Sequence, residues 1–368
     1  MTGNYEYKTL PPFTKGELTK ENWEKERKEI LDLFRNEVYG IIPDESSLVV
    51  SHRVAETSGG FMEGKAIRKI IEITVKRGDR EFTFPFYLFV PVTAEKKPAP
   101  VFLTLVNRSL GDADPSRYTV SQFWPAEYLI SRGYAAAAII TQEIAPDYEE
   151  GFNTKFHRLF PDYSGKRQGN TWGSVTAWAW GMSRAVDYLV TDPHINGREI
   201  GIAGHSRGGK TSLWCGAQDE RIALVISSCS GCTGTAITRG KTGEHIKDIT
   251  QRFYYWFCEN YKKYRDQEDT MPFDQHMLLG LIAPRLLYVN SRTQDSWCDP
   301  RAEFESIKQA QKVFGLYGKT DAPFENLPES DTAVISGNLA YHILPGEHNM
   351  DEDDWKRFLD FADRHFSH

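Results

Sequence analysis

The chain has 368 residues, of which 40% are hydrophobic, and its 44 basic and 51 acidic residues give a net charge of −7. This length and composition allow a sizeable core, and the acidic balance argues against a nucleic-acid partner. No run of about 18 apolar residues occurs, so the sequence predicts no membrane-spanning segment. Aromatic residues make up 13% of the chain, a share that suits either a sugar site or a large core.

The N-terminal segment, 1–13, has neither the basic start nor the apolar stretch of a signal peptide. Two expectations stay open: a cytoplasmic protein, or an exported one whose signal peptide has been removed. Because the chain shows no repeat or linker, we predict a single domain over 1–368. It carries an N-terminal helix and strand extension, about 1–95, and an aromatic-rich insert, about 235–275.

The first predicted element is a helix within 19–40, capped by Thr19. Its apolar residues recur at helical spacing: Trp23, Ile30, Leu31, Phe34 and Val38. Two strand-like stretches follow, 66–76 and 82–91, and the short charged turn between them predicts an antiparallel pair.

Strands and helices then alternate to the end of the chain. Such alternation over some 250 residues is typical of an α/β protein with a mainly parallel sheet covered on both faces. The predicted strands are 100–106, 134–140, 199–204, 223–228, 285–291 and 340–344, and the predicted helices are 123–133, 175–192, 208–218 and 351–366. The insert is rich in Tyr, Phe and Trp, and we expect it to cover the catalytic edge of this sheet.

A G-x-S-x-G motif spans Gly204 to Gly208, between a predicted strand and a predicted helix. This is the context of a nucleophile elbow, in which a strained turn lifts Ser206 above the sheet edge. The backbone N–H of Arg207 would then point into an oxyanion hole at the start of the helix. The alternative interpretation is a tight turn in which Ser206 only caps the helix.

A serine nucleophile needs a histidine base, which in α/β-hydrolases comes last in the chain order Ser, acid, His. His348 lies between the last predicted strand and the last predicted helix, where that fold places the base. The other histidines after Ser206 are His245, His276, His342, His365 and His368.

The acid is predicted to follow the strand 285–291. Asp295 comes a few residues after that strand, and Asp299 is the second candidate. Because Asp299 precedes Pro300, which favours a turn or a helix start, we prefer Asp295.

Cys229 and Cys232 form a lone C-x-x-C among five cysteines. With no second pair and no His/Cys/Asp group at ligand spacing, the sequence predicts buried free thiols and neither a metal nor another cofactor.

The segment GHSRGGK, 204–210, resembles the G-[CH]-S-R-x-G-K signature of the glucuronoyl esterases, which cut the ester between glucuronate on xylan and lignin alcohols. The resemblance extends over most of the chain and implies an α/β-hydrolase fold. It also covers 29–43, 177–192, 274–289, 295–304 and 341–349.

The resemblance implies a carbohydrate or uronate ester as substrate, with Ser206 as nucleophile and His348 as base. It also implies that the Arg207 side chain supports the oxyanion and that three residues contact the sugar: Lys210, Glu244 and Trp297. This chain departs from fungal members, whose disulfide joins the positions of His205 and Asn349. Cys229 stands about where some members carry the acid, which favours Asp295 here.

Two other functions compete with a glucuronoyl esterase. One is a different carbohydrate esterase, such as an acetyl xylan esterase, and the other is a non-catalytic binding protein with the same fold. A complete set of Ser, Asp and His argues against the non-catalytic alternative.

Overall fold

The computed structural model describes residues 9–42, 45–160, 167 and 169–367, with 152 and 153 described by their backbone only. Most of the segment on which the signal-peptide prediction rests lies outside these residues, as does His368. Within the described part of the chain, no helix is both long enough and apolar enough to cross a membrane.

Ten strands form one sheet in the described residues. They are β1 (Val49–Gly60), β2 (Ala66–Arg77), β3 (Arg80–Pro91), β4 (Ala99–Val106), β5 (Ala135–Ile140), β6 (Ile195–His205), β7 (Leu224–Ser228), β8 (Leu286–Arg292), β9 (Thr332–Ser336) and β10 (Leu339–Leu344). Their spatial order is β1-β2-β3-β5-β4-β6-β7-β8-β10-β9.

The central strands from β5 to β10 pair in parallel. The strands at both margins pair antiparallel, and β2 and β3 form the predicted antiparallel pair.

The helices lie mainly between the parallel strands. They are α1 (Lys20–Phe34), α2 (Ala126–Ser131), α3 (Thr141–Ile144), α4 (Ser174–Leu189), α5 (Arg207–Gln218), α6 (Ile246–Arg252), α7 (Gln275–Gly280), α8 (Pro300–Gly315) and α9 (Glu352–Ala362). As predicted, Thr19 caps α1, accepting a 3.2 Å hydrogen bond from the Asn22 N–H. The helix predicted over 123–133 is shorter than expected and begins only after Pro125.

The core lies on both faces of the sheet, and β4 shows why. Its side chains alternate, with Val101, Leu103 and Leu105 packing on the face that carries α4, α5 and α8. Phe102 and Val106 pack on the opposite face, against α2 and α9. A strand buried on both faces reads as a continuous apolar run, so the predicted class, a mainly parallel sheet covered by helices, is confirmed.

Six of these strands and helices were not predicted from the sequence: β1, β9, α3, α6, α7 and α8. The insert contains α6 and two 3₁₀ helices, Glu259–Tyr264 and Glu268–Thr270. The division of the chain into one domain with an extension and an insert stays a prediction.

Parallel strands bring their carboxyl ends to one edge of the sheet. Here β6, β7, β8 and β10 end at His205, Ser228, Arg292 and Leu344. The loops that follow these strands carry the predicted nucleophile, acid and base, so the topology places the three predictions at the same edge.

Candidate active site

Ser206 occupies the turn between β6 and α5, with φ 58° and ψ −121°. A positive φ is uncommon for a residue other than glycine and marks a strained turn. The Ser206 N–H donates a 2.8 Å hydrogen bond to the Ser228 carbonyl, which ties the turn to the end of β7. The Ser206 side chain makes no capping hydrogen bond to α5, so the alternative of a purely capping serine is wrong.

Two glycines of the motif let backbone segments approach each other closely around this turn. A Cβ on Gly204 would lie 2.2 Å from the Gly208 carbonyl oxygen. A Cβ on Gly208 would lie 3.0 Å from Asn107 Oδ1, at the end of β4. A larger side chain at Gly204 would therefore force the helix away from the strand.

His348 and Asp295 meet across two loops. The distance between His348 Nδ1 and Asp295 Oδ2 is 2.6 Å, with Asp295 almost fully buried and His348 partly exposed. Two backbone hydrogen bonds hold the loops together, from Thr293 to Leu344 at 3.0 Å and from Gln294 to Gly346 at 2.9 Å. The geometry suits an acid that orients an imidazole ring.

The Asp295 carboxyl is in an environment that favours its charged form. Burial acts to raise its pKa, but the hydrogen bond and charge of His348, with hydrogen bonding from Cys298, outweigh burial and lower the pKa below its usual range. The Cys298 N–H contributes a 3.2 Å hydrogen bond to Asp295 Oδ1.

Asp299, the second candidate, faces elsewhere. Its Oδ1 caps α8 by accepting from the Ala302 N–H at 3.2 Å, and its Oδ2 accepts from the Thr242 N–H at 2.6 Å. The structure therefore brings Asp295, and not Asp299, to His348.

Two of the other histidines are buried and paired with groups other than Ser206 or Asp295. His276 Nε2 lies 2.9 Å from the Pro11 carbonyl oxygen. His342 lies within β10, between the Tyr288 hydroxyl at 3.0 Å and Asp354 Oδ1 at 2.8 Å.

The turn that carries Ser206 approaches His348 through the preceding residue, His205. The ring of His205, the residue before Ser206, lies 4.3 Å from the His348 ring between centroids. Among the described residues, the hydrogen bonds of His348 reach Asp295 and Cys298 but not the Ser206 hydroxyl. In unliganded enzymes such a contact often closes only when substrate binds.

Arg207 is held by an acidic residue that sequence reasoning missed. Its guanidinium pairs with Asp147 and lies over the Trp256 ring at 5.0 Å and the Phe253 ring at 5.7 Å. Asp147 also accepts a 2.7 Å hydrogen bond from Trp256 Nε1. Asp147 lies in the loop that follows β5 and α3. Its position after a strand of the parallel sheet is the one sequence feature that could have indicated a place in the site. Both aromatic rings come from the insert.

We predict that Asp147→Asn lowers kcat/KM by roughly 10–150-fold, the value of one charge-assisted hydrogen bond of about 1.5–3 kcal/mol. Without the ion pair to Asp147, the Arg207 side chain could move away from Ser206. Because the bound ester has no oxyanion, which develops only on the way to the tetrahedral intermediate, the loss should appear in kcat rather than in KM. Steady-state kinetics on an ester substrate would measure it.

Asp187→Asn is the matched control, because Asp187 pairs with Arg184 at 2.8 Å in a helix that does not carry the elbow. That variant should stay within about twofold of wild type, as expected for a partly exposed pair. Wild-type kcat in Asp147→Asn would contradict the role of Asp147.

Lys210 is buried, and its Nζ donates a 2.6 Å hydrogen bond to the Ser230 carbonyl oxygen. The lysine therefore supports the loop that follows β7.

The same loop is fixed by Glu303, which accepts hydrogen bonds from the Gly231 N–H at 2.8 Å and the Thr235 hydroxyl at 2.7 Å. Burial raises the pKa of Glu303 to about 7. No motif in the sequence marks Glu303, which lies within α8, as a residue that holds this loop.

Glu244 and Trp297 lie on adjoining backbone segments. The Glu244 N–H donates to the Trp297 carbonyl oxygen at 3.0 Å. Gly243, with φ 70°, allows this approach, since a Cβ there would lie 2.4 Å from the same carbonyl oxygen. Glu244 is buried, whereas Trp297 is 49% exposed and presents an open ring. The structure brings these two predicted sugar contacts together, while the hydrogen bond of Lys210 goes to Ser230.

All five cysteines lie within the described residues and are buried as free thiols. Two of them lie beside His348, where side chains from separate loops form two potential ligand groups. One group is His205, Cys229 and His348, and the other is Asp295, Cys298 and His348. Sequence spacing had indicated no such group, because its members meet only through the topology.

Known proteins resemble this chain in sequence and in structure. A family model described as glucuronyl esterase of fungi matches residues 73–318. A carbohydrate esterase from an unknown prokaryotic organism is 34% identical over 94% of this chain and 85% of its own length.

Two further proteins extend the comparison. A solved glucuronoyl esterase from Solibacter usitatus superimposes with a TM-score of 0.90 at 34% identity, covering 99% of this chain and 100% of its own. A 4-O-methyl-glucuronoyl methylesterase from Podospora anserina is 27% identical over 82% of this chain and 58% of its own length.

Proposed function

This chain belongs to the glucuronoyl esterase family, and from that premise we propose that it cleaves glucuronate esters through Ser206, His348 and Asp295. It has the α/β-hydrolase fold of that family and is a carboxylic ester hydrolase. The single observation that supports the assignment of these residues is the 2.6 Å contact between His348 and Asp295 beside the strained turn at Ser206.

The first half-reaction transfers the glucuronoyl group to the enzyme. Ser206 Oγ attacks the ester carbonyl carbon, and His348 Nε2 accepts the hydroxyl proton. Asp295 keeps the other proton on Nδ1 and stabilises the imidazolium that forms. Collapse of the tetrahedral intermediate expels the alcohol, which takes its proton from His348.

The negative oxygen of that intermediate forms next to α5. The Arg207 N–H at the start of this helix and the Arg207 guanidinium, held by Asp147, are the groups that stabilise it. A guanidinium stays charged at every working pH and is pre-positioned here by pairing and stacking. The site therefore reorganises little as charge develops.

The second half-reaction restores the enzyme. His348 removes a proton from water, and the resulting hydroxide attacks the acyl carbon of the glucuronoyl–Ser206 ester. The intermediate then releases Ser206, which regains its proton from His348. The product leaves as glucuronic acid, which releases its carboxyl proton to water and becomes the glucuronate anion.

The sugar is recognised beside the nucleophile. The open ring of Trp297 offers an apolar platform for a sugar face. Next to it, the Glu244 carboxylate is an acceptor suited to sugar hydroxyls, and the remaining donors of Lys210 suit sugar oxygens. These contacts would favour a uronate ester over a small acetate ester, which has no sugar to hold.

The test compares hydrolysis of methyl glucuronate with hydrolysis of an aryl acetate by the purified enzyme. We expect the ratio of kcat/KM on methyl glucuronate to kcat/KM on the aryl acetate to exceed the ratio of the uncatalysed hydrolysis rates of the two esters. Removal of acetyl groups from xylan with no action on glucuronate esters would instead support the acetyl xylan esterase alternative.

Trp297→Ala should separate the two substrates. Loss of ring contacts worth roughly 0.5–1.5 kcal/mol predicts a fall of about 2–13-fold in kcat/KM on methyl glucuronate. The aryl acetate should change by less than about twofold, measured in the same assay.

Tyr118→Ala is the control for loss of an exposed aromatic side chain, since Tyr118 is 96% exposed. It should leave both substrates unchanged. Equal losses on both substrates in Trp297→Ala would mean that the ring supports the loop of Asp295 and does not hold the sugar.

A further inference from the structure

Three side chains that can bind a metal converge at the edge of the sheet, each from a different strand end. A ring nitrogen of His205, the Cys229 sulfur and a ring nitrogen of His348 all lie within 4.8 Å of one another. His205 ends β6, Cys229 directly follows β7, and His348 follows β10. Imidazole and thiolate are the donors that zinc and similar ions prefer in proteins.

The second observation is the state of His205. Its side chain is buried, with 3% of the residue exposed, and its Nε2 makes no hydrogen bond within the described residues. Buried polar atoms are nearly always paired, and an exception calls for an explanation. The His205 ring faces the His348 ring at 4.3 Å between centroids. An ion held between these side chains would give the unpaired nitrogen a partner.

Cys229 is held in place by its backbone. Its φ is 43°, which is uncommon for a residue other than glycine, and its N–H donates a 2.9 Å hydrogen bond to the Asn290 carbonyl oxygen. The thiol lies 3.6 Å from the carbonyl oxygen of Asn349, the residue that follows the base. The sulfur is therefore fixed beside His348.

His348 completes the group and provides the route of entry. Asp295 engages Nδ1, which leaves Nε2 as the free nitrogen. A histidine that donates one ring N–H to a carboxylate and binds metal through the other nitrogen is a recurrent arrangement in zinc sites. His348 is also the exposed member of the group, with 39% of its side chain accessible, so an ion can reach it from the cleft.

We propose that His205, Cys229 and His348 bind Zn²⁺ or a similar borderline divalent ion, with a fourth position open to water, and that this ion inhibits ester hydrolysis. A tetrahedral zinc with ordinary bond lengths needs donors about 3.4–3.6 Å apart, so modest inward movements complete the site. The inhibitory effect rests on the proposed function, because the ion occupies the His348 nitrogen that must accept the Ser206 proton. The binding itself does not.

The neighbouring group, Asp295, Cys298 and His348, is less suited to the ion. Its Asp295 and His348 atoms already meet in the 2.6 Å hydrogen bond, and a metal there would have to break it. Cys298 therefore serves as the matched control for Cys229.

Direct binding is measured by titrating Co²⁺ into wild-type and Ser206→Ala protein and recording the thiolate-to-cobalt charge-transfer absorption in the near ultraviolet. Both proteins should show the band, and excess Zn²⁺ should remove it. Cys229→Ser should lose the band, and Cys298→Ser should keep it. Absence of the band in wild type, or its loss in Cys298→Ser but not in Cys229→Ser, would overturn the proposal.

Inhibition is measured separately on an ester substrate. Zn²⁺ should inhibit wild type reversibly, with EDTA restoring full activity, and Cys229→Ser should need at least about tenfold more Zn²⁺ for the same inhibition. Should Cys229→Ser fail to fold, Cys229→Ala must lose the cobalt band, and His205→Gln must need more Co²⁺ than wild type to reach the same band. If the protein shows the cobalt band but does not hydrolyse glucuronate esters, only the proposed function is contradicted. If the protein hydrolyses these esters but shows no cobalt band, only the metal site is contradicted.

Discussion

Replacing Ser206 by alanine should lower kcat on a glucuronate ester by on the order of 10³-fold or more. Ser206 is the group that forms the acyl-enzyme in the proposed mechanism, so the variant retains only the rate enhancement that binding and the oxyanion contacts provide. The purified variant, assayed with methyl glucuronate at saturating concentration, would show the loss in kcat.

The fold should survive this change. Ser206 makes no side-chain cap to α5, and its N–H bond to Ser228 belongs to the backbone, so alanine removes no hydrogen bond. We expect the free energy of unfolding to change by less than about 0.5 kcal/mol, measured by denaturant titration.

Ser212, later in the same helix, offers the matched control. Its hydroxyl is buried without a hydrogen-bond partner among the described residues, so Ser212→Ala should keep wild-type activity. A fluorophosphonate probe should label wild type and Ser212→Ala but not Ser206→Ala. Retention of a tenth of wild-type activity in Ser206→Ala, with contamination excluded, would show that another residue is the nucleophile.

The parallel centre of the sheet could be predicted because burial on both faces leaves a strong signal. A strand such as β4 is apolar at nearly every position, and glycines or helix caps mark where the next element starts. The prediction of Ser206 as nucleophile depends on the same signal, since G-x-S-x-G indicates a nucleophile elbow only between a strand and a helix.

The margins of the sheet left no such signal. β1 is largely exposed along its length and carries no alternation of apolar residues, so its pairing with β2, not its composition, makes it a strand. β9 is a short edge strand with two exposed positions at its start. Pro300 indicates a turn or a helix start, and the structure shows a long helix, α8, which begins there.

Contacts between separate loops could not be predicted either. Asp147 reaches Arg207 from the loop beyond β5, and Cys229 reaches His348 from the loop after β7. In each case the two residues lie far apart in the chain and share no motif. Only the order of the strands in the sheet brings them together, and that order cannot be read from local patterns in a single sequence.

Replacing Asp295 by asparagine should cost about 10²–10⁴-fold in kcat while leaving KM nearly unchanged. The Asp295 carboxylate accepts the hydrogen bond from His348 Nδ1 at 2.6 Å. An amide in its place can donate to Nδ1 and so stabilise the tautomer that carries its proton on Nε2. That tautomer cannot accept the Ser206 proton, and the imidazolium also loses the charge that stabilises it.

Asp299→Asn tests whether the loss belongs to this one carboxylate. Asp299 caps α8 and binds the Thr242 backbone, so its replacement should lower the free energy of unfolding by about 1 kcal/mol. Its kcat should change by less than about fivefold, because Asp299 makes no contact with the base. The two variants thus separate an effect on stability from an effect on proton transfer, measured by denaturant titration and steady-state kinetics. If Asp299→Asn proved the inactive variant and Asp295→Asn the active one, the base would be oriented from the helix cap, and the contact at 2.6 Å would be structural.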